Sequence, residues 1–110
     1  MNPIRGELLQ GTLDLLVLKT LAWGPRHGYG IARWLEDTTD DALHIAEGSL
    51  YPALYRMESR DWVSASWGIS ELGKRIKVYA LTDTGRAQLQ TESAQWTSFS
   101  AAVGRVMATS

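Results

Sequence analysis

Apolar positions recur every three or four residues in four segments of the chain, which is the spacing of an amphipathic helix. The four segments are residues 12–22, 28–38, 47–60 and 82–107. Between the third and the fourth, two short stretches alternate apolar and polar positions and are rich in β-branched and aromatic residues, which is typical of strands. The strands cover residues 62–67 and 77–81, and residues 68–76 connect them as the loop of a long hairpin. The pattern predicts a mainly α fold with a small β-hairpin.

The order of these elements predicts a winged helix-turn-helix. In that fold the last of three helices enters the DNA major groove, and a hairpin called the wing lies beside it. Residues 1–82 would then form the DNA-binding domain, and residues 83–110 a C-terminal dimerisation helix in the same continuous unit. The last helix, with Thr82 as its predicted N-cap, would run roughly 35 Å. That length exceeds what one small domain can cover.

The third predicted helix, which begins EGSLYPALYRME, has an apolar face and a polar face. Leu50, Leu54 and Met57 are spaced to point into the core. The far side combines small, donor-free and basic residues: Ser49, Pro52, Ala53, Arg56 and Arg60, with Tyr51 and Tyr55 on its flank. Small side chains allow close approach to base-pair edges, an arginine can donate two hydrogen bonds to guanine, and a tyrosine can donate to phosphate. An ordinary solvated face is the alternative.

The distribution of charge supports nucleic-acid binding, although the total does not. The net charge is −1, so the chain as a whole is not basic. Residues 74–77, KRIK, nevertheless place Lys74, Arg75 and Lys77 in the predicted wing. Basic side chains at a wing neutralise DNA phosphates and release counterions.

The first and last helices both carry surplus apolar residues. In residues 12–22, with Thr12 or Gly11 as N-cap, Leu15 and Leu18 point away from the other apolar side chains. A helix that is apolar nearly all round is covered on more than one side, either by a second chain or by a returning C-terminal helix.

The last helix has a heptad pattern typical of a dimer seam. Leu89, Trp96 and Val103 are spaced by seven, Phe99 and Val106 follow three residues after the last two, and Glu92 interrupts the first heptad. We expect dimerisation rather than a fold-back onto the same chain. The predicted dimer residues are Leu15, Leu18, Leu89, Trp96, Phe99, Val103 and Val106. A two-fold dimer would present two third helices to successive major grooves, so its operator in double-stranded DNA would be roughly palindromic.

Other functional classes find little support. There is no cysteine, the two histidines His27 and His44 lack further ligands nearby in sequence, and no P-loop or G-x-S-x-G motif is present. We therefore expect neither an enzyme nor a metal or cofactor site. The apolar stretch at residues 13–23 contains Asp14 and Lys19 and is too short to span a bilayer. Because residues 1–10 also lack the layout of a signal peptide, a cytoplasmic location is expected.

Four motifs make the chain resemble the PadR family of bacterial transcriptional regulators. They are HGYGI (27–31), GSLYPALYRME (48–58), WG (67–68) and KRIKVYALTDTGRAQL (74–89). The resemblance covers nearly the whole chain and is closest to the short members with one C-terminal helix. It implies a winged-helix homodimer, usually a repressor, that leaves its operator when an effector binds. It also implies DNA contacts from Ser49, Tyr51, Pro52, Tyr55 and Arg56, with Tyr29 near the DNA backbone and Lys74, Arg75 and Lys77 in the wing.

The chain departs from the family pattern at two positions. Asp61 replaces the usual glycine after the third helix, where φ > 0 is expected. Ile76 interrupts the run of small or basic residues in the wing.

Two further hypotheses concern ligands and partners. Trp96, as a large aromatic in a dimer seam, is a candidate wall of a pocket for a planar small-molecule effector, although packing alone would also explain it. The other four tryptophans are interpreted as core or domain-edge packing. The alternative function is a protein–protein interaction module whose third helix binds a partner protein without specific DNA binding.

Overall fold

The computed structural model describes residues 12–110 and confirms a mainly α fold with a small antiparallel sheet. The helices are α1 (Leu13–Ala22), α2 (Gly28–Thr38), α3 (Glu47–Ser59) and α4 (Asp83–Met107). The strands are β1 (Arg26–His27), β2 (Val63–Ile69) and β3 (Arg75–Leu81). Helix α1 begins after Thr12, whose carbonyl accepts a hydrogen bond from Leu16 N at 3.1 Å. The alternative cap, Gly11, lies outside the described residues.

The wing is longer than the sequence pattern predicts. Strands β2 and β3 pair from Val63↔Leu81 to Ile69↔Arg75, so the turn is limited to residues 70–74 rather than 68–76. Ser70 N donates to Lys74 O at 2.8 Å, and Gly73 takes the positive φ of 78° that this tight turn requires. The sheet order is β1–β3–β2, because β1 pairs with the other edge of β3. That short strand was not predicted.

The core corrects two of the assignments made from spacing. Leu50, Leu54 and Met57 are buried as predicted, but Ala53 is only 1% exposed and belongs with them rather than on the polar face. Leu18 is 0% exposed inside the chain's own core, so it offers no surface to a second chain, and its assignment to a dimer seam is wrong. Helix α4 packs back on α1, which provides the second cover that α1 requires.

The tryptophans divide into two groups. Trp34 and Trp62 are half-buried and pack against the core, as expected. Trp23 and Trp67 are 68% and 62% exposed, so packing does not account for them. Each instead lies beneath a cationic side chain, Lys19 at 5.7 Å and Arg75 at 4.4 Å from the ring centroid.

Two local features fix the start of α4 beside the base of the wing. Asp61 adopts φ 61°, as its position predicts, and lets Trp62 N donate back to Met57 O at 2.9 Å. Thr82 caps α4 as predicted, because its hydroxyl oxygen accepts from Gly85 N at 2.9 Å. Gly85 packs so tightly that a Cβ there would lie 2.0 Å from the Trp62 carbonyl oxygen.

Candidate nucleic-acid interface

The outward face of α3 is built from small and aromatic residues. Ser49, Tyr51, Pro52 and Tyr55 are exposed, while Leu50 and Leu54 fix the helix to the core. Pro52 lies inside the helix, where it removes the backbone donor that would otherwise bond to the carbonyl of residue 48. The result is an exposed surface without bulky aliphatic groups, and such a surface can approach base-pair edges closely.

The N-terminus of α2 adjoins this face through a close contact. The Tyr51 ring lies over Gly28, where a Cβ would come within 2.7 Å of both its Cε1 and its Oη. Next along α2, Tyr29 is exposed and stacks on His27, with ring centroids 6.1 Å apart. The His27 Nδ1 in turn caps the helix by accepting from Gly30 N at 2.9 Å. Tyr29 and Tyr51, which come from different helices, therefore both lie at the N-terminus of α2.

Arg56 does not stand free on the α3 surface as the spacing suggested. Its Nη2 donates to Asp14 Oδ1 of α1 in an ion pair, and its side chain is 42% exposed. Glu92 of α4 lies near the same pair, since the charges of both Asp14 and Arg56 act on its carboxyl. No local pattern signals this arrangement, because the partners come from three helices.

The basic residues of the wing have different surroundings. Lys74 and Arg75 are exposed near the tip. Lys77 is less exposed and its Nζ lies 3.3 Å from Glu58 Oε1 of α3, in an ion pair between wing and helix. Trp67, which sequence reasoning assigned to packing, contributes its exposed ring to Arg75.

Helix α4 carries an exposed apolar stripe beyond the point where it leaves the core. Leu89 packs against the chain's own core, whereas Trp96, Phe99, Val103 and Val106 are exposed. The rings of Trp96 and Phe99 are 6.3 Å apart and tilted by 44°. Leu15 on α1 is half-buried. The predicted seam is thus partly covered within the chain and partly open.

Two further observations concern other kinds of site. Within residues 12–110, no three His, Cys, Asp or Glu side chains come together in a way that would hold a metal ion. None of the helices in the same range is both long enough and apolar enough to cross a membrane.

A three-helix unit with its third helix exposed beside a basic hairpin is a winged helix-turn-helix, a class of fold that places its third helix in the DNA major groove. Residues 17–91 match the model of the transcriptional regulator PadR-like family. The chain belongs to the PadR-like family, whose members regulate transcription and are not enzymes. DNA binding follows at the level of the family.

Solved structures agree with this assignment. A transcriptional regulator from Clostridium thermocellum is 25% identical, with a TM-score of 0.83 over 91% of this chain and 97% of that chain. A PadR-like regulator from Bacillus cereus is 27% identical, with a TM-score of 0.80 over 96% of this chain and 100% of its own. A PadR family regulator from Eggerthella lenta is 34% identical, with a TM-score of 0.80 over 94% and 88% of the two chains.

Proposed function

We propose that the chain is a sequence-specific, homodimeric DNA-binding regulator, a repressor that an effector releases from its operator. Helix α3 enters the major groove, and the wing binds the flanking backbone. The observation that carries the proposal is the exposed face formed by Ser49, Tyr51, Pro52 and Tyr55 beside the basic wing.

Tyr29 and Lys77 extend the contact to phosphates, and residues 1–82 act as the DNA-binding unit. Arg56 contacts the DNA from its place beside Asp14.

A salt series on the purified protein tests the DNA contacts. Affinity for a labelled duplex should fall steeply as salt rises, and Lys74→Ala or Arg75→Ala should each reduce the slope of log affinity against log salt concentration by about two, because each wing of the dimer loses one phosphate contact. Lys19→Ala, which removes the same charge from an exposed position of α1, is the matched control and should leave the slope unchanged. Ser49→Ala should instead reduce the preference for operator over random DNA, whereas Tyr55→Ala, which removes a phosphate donor, should weaken binding to both. Slopes that do not respond to the wing variants would contradict the proposed contacts.

Dimerisation is proposed through the exposed stripe of α4, within residues 83–110. A row of large apolar side chains in water is unfavourable, and a two-fold axis would let the stripes of two copies cover each other together with Leu15 and Leu89 at the edge. Sedimentation of Phe99→Glu and Val106→Glu variants should give a monomer, because each buries a charge in the seam. Ala101→Glu, at an exposed position of α4 on the side opposite the stripe, should remain a dimer. A wild-type monomer at all concentrations would overturn the proposal and with it the roughly palindromic operator.

The effector is proposed to be a planar small molecule that contacts Trp96. The half-exposed ring of Trp96 lies beside that of Phe99, so two aromatic surfaces are available at the proposed seam. Tryptophan fluorescence should be quenched by such a ligand in the wild type and not in Trp96→Leu. A reporter behind the operator should be repressed by the wild type and induced by the same ligand. Equal quenching in both proteins would exclude Trp96.

A further inference from the structure

Trp67 is exposed in the middle of a strand, at a position that contributes little to the core. Large aromatic side chains usually bury much of their area, so a ring that is 62% exposed calls for another explanation. The Arg75 guanidinium lies 4.4 Å from the Trp67 centroid. Among the cation–ring pairs of residues 12–110, the others are separated by 5.1 to 5.8 Å. The Trp67–Arg75 pair is therefore the tightest of them.

The register of the wing explains why these two side chains meet. Trp67 is directly opposite Lys77, and Arg75 is directly opposite Ile69, so Arg75 is the diagonal neighbour of Trp67 on the same face of the sheet. That face is continuous with the buried side chains of Val63 and Tyr79. Its Lys77 reaches Glu58 of α3. The Trp67–Arg75 pair is thus on the face of the wing that adjoins α3.

We propose that Trp67 is a positioning residue, which holds Arg75 against its ring so that the guanidinium binds a DNA phosphate beside α3. The inference rests on the DNA-binding function proposed above. A guanidinium held over the face of an aromatic ring still has N–H donors that point away from the ring, and these can donate to phosphate oxygens. Holding the side chain in place beforehand reduces the conformational entropy lost on binding. Lys77 is paired with Glu58 instead, so Arg75 is the wing cation whose side chain Trp67 positions.

A double-mutant cycle on DNA binding tests the inference. The probes are a labelled random duplex of about 30 base pairs, long enough for two half-sites, and the DNA upstream of the chain's own gene. Trp67→Ala should weaken binding to both duplexes by roughly fivefold to thirtyfold, the size expected when each of the two protomers loses an exposed cation–π contact. In an Arg75→Ala background the same substitution should have no further effect. If Trp67→Ala weakens binding equally in both backgrounds, Trp67 does not act through Arg75 and the inference is wrong.

Further variants separate positioning from packing. Trp67→Phe keeps an aromatic ring and should retain most of the affinity, whereas Trp67→Leu keeps apolar bulk only and should behave like Trp67→Ala. Arg75→Lys keeps the charge but not the planar guanidinium, so its binding should depend less on Trp67 than that of the wild type does. Trp23→Ala, the other exposed tryptophan beneath a cation, should bind normally. Equal affinities of the Phe and Leu variants would contradict the inference even if the Ala variant failed to fold.

The two proposals fail in different ways. Wild-type protein that binds upstream and random DNA equally, with the cycle still coupled, would contradict the sequence-specific regulator and leave the role of Trp67 intact. Tighter binding to the upstream DNA, with effects of Trp67→Ala that are equal in both backgrounds, would support the sequence-specific regulator and contradict the role of Trp67.

Discussion

Asp14 of α1 and Arg56 of α3, which are 42 residues apart in sequence, form an ion pair that joins the two helices. The pair connects the proposed reading helix to the element that packs against α4. It also places a carboxylate beside a guanidinium that the family resemblance assigns to DNA.

Replacing Asp14 should separate these two roles. Asp14→Asn should lower the free energy of unfolding by about 1 kcal/mol, since the pair is partly exposed. It should also tighten DNA binding by about twofold to threefold, because a competing negative charge is removed. Melting curves and anisotropy titrations measure the two effects. Asp37→Asn, which breaks the exposed Arg33–Asp37 pair on α2, is the matched control. A loss of DNA affinity as large as that of Arg56→Ala would mean that Asp14 orients Arg56 and does not compete for it.

Gly85 should tolerate no side chain. A Cβ at this position would lie 2.0 Å from the Trp62 carbonyl oxygen and 2.8 Å from a Leu81 methyl, so the start of α4 must move. Gly85→Ala should cost about 2 kcal/mol or more in stability, as overpacking does. Gly104→Ala, in the same helix with open space around it, should instead stabilise by about 0.5–1 kcal/mol. Thermal unfolding of both variants tests the contrast, and equal melting temperatures would refute the packing argument.

Gly28 should matter for DNA binding more than for stability. Alanine at this position would contact the Tyr51 ring at 2.7 Å, and an exposed ring can swing away. We expect Gly28→Ala to weaken operator binding by roughly threefold to tenfold, because Tyr51 leaves its place on the DNA-facing surface. Gly30→Ala, two residues later with an ordinary 3.4 Å contact to His27, should have little effect. Unchanged binding by Gly28→Ala would indicate that Tyr51 is not a DNA contact.

Glu92 should make the protein less stable as pH rises. Burial raises the pKa of its carboxyl above the ordinary value; the Gln88 hydrogen bond opposes this, the charge of Asp14 adds to it, and Arg56 and Arg60 oppose it. One Glu92 oxygen is buried with no hydrogen-bond partner. For an acid whose pKa is higher in the folded state, stability is lost as pH rises from the unfolded pKa through the folded one.

Glu92→Gln removes this pH dependence. It should be more stable than the wild type at pH 7, and the difference should vanish below about pH 4, where Glu is protonated in the unfolded chain as well. Melting temperatures across this range give the comparison. Glu71→Gln, at an exposed position in the hairpin turn, is the matched control. A Glu92→Gln variant no more stable than the wild type at neutral pH would show that the burial penalty is compensated.

Local signals were sufficient for most of the fold. The helical spacing of Leu50, Leu54 and Met57, the Thr82 cap and the positive φ at Asp61 depend on residues close in sequence, and each was predicted correctly. The two-residue strand β1 has no periodicity of its own and forms only because β3 presents an open edge.

The predictions that were wrong concern side chains whose burial and partners depend on tertiary packing. Leu18 faces away from the main stripe of α1, but the return of α4 helps to enclose that side and buries it. Ala53 is small enough to fit either face of α3, so its residue type does not predict whether it is buried or exposed. The pairing of Arg56 with Asp14, and the contact of Arg75 with the Trp67 ring, join residues that no motif connects.

The central claim is tested most directly by comparing two affinities of the wild-type protein at moderate salt. One is for the DNA just upstream of its own gene, and the other is for random duplex of the same length. An anisotropy titration should give at least a thousandfold tighter binding to the upstream DNA, as specific regulators show, with two chains bound per site. Equal affinities for the two duplexes would contradict the assignment of α3 as a sequence-reading helix.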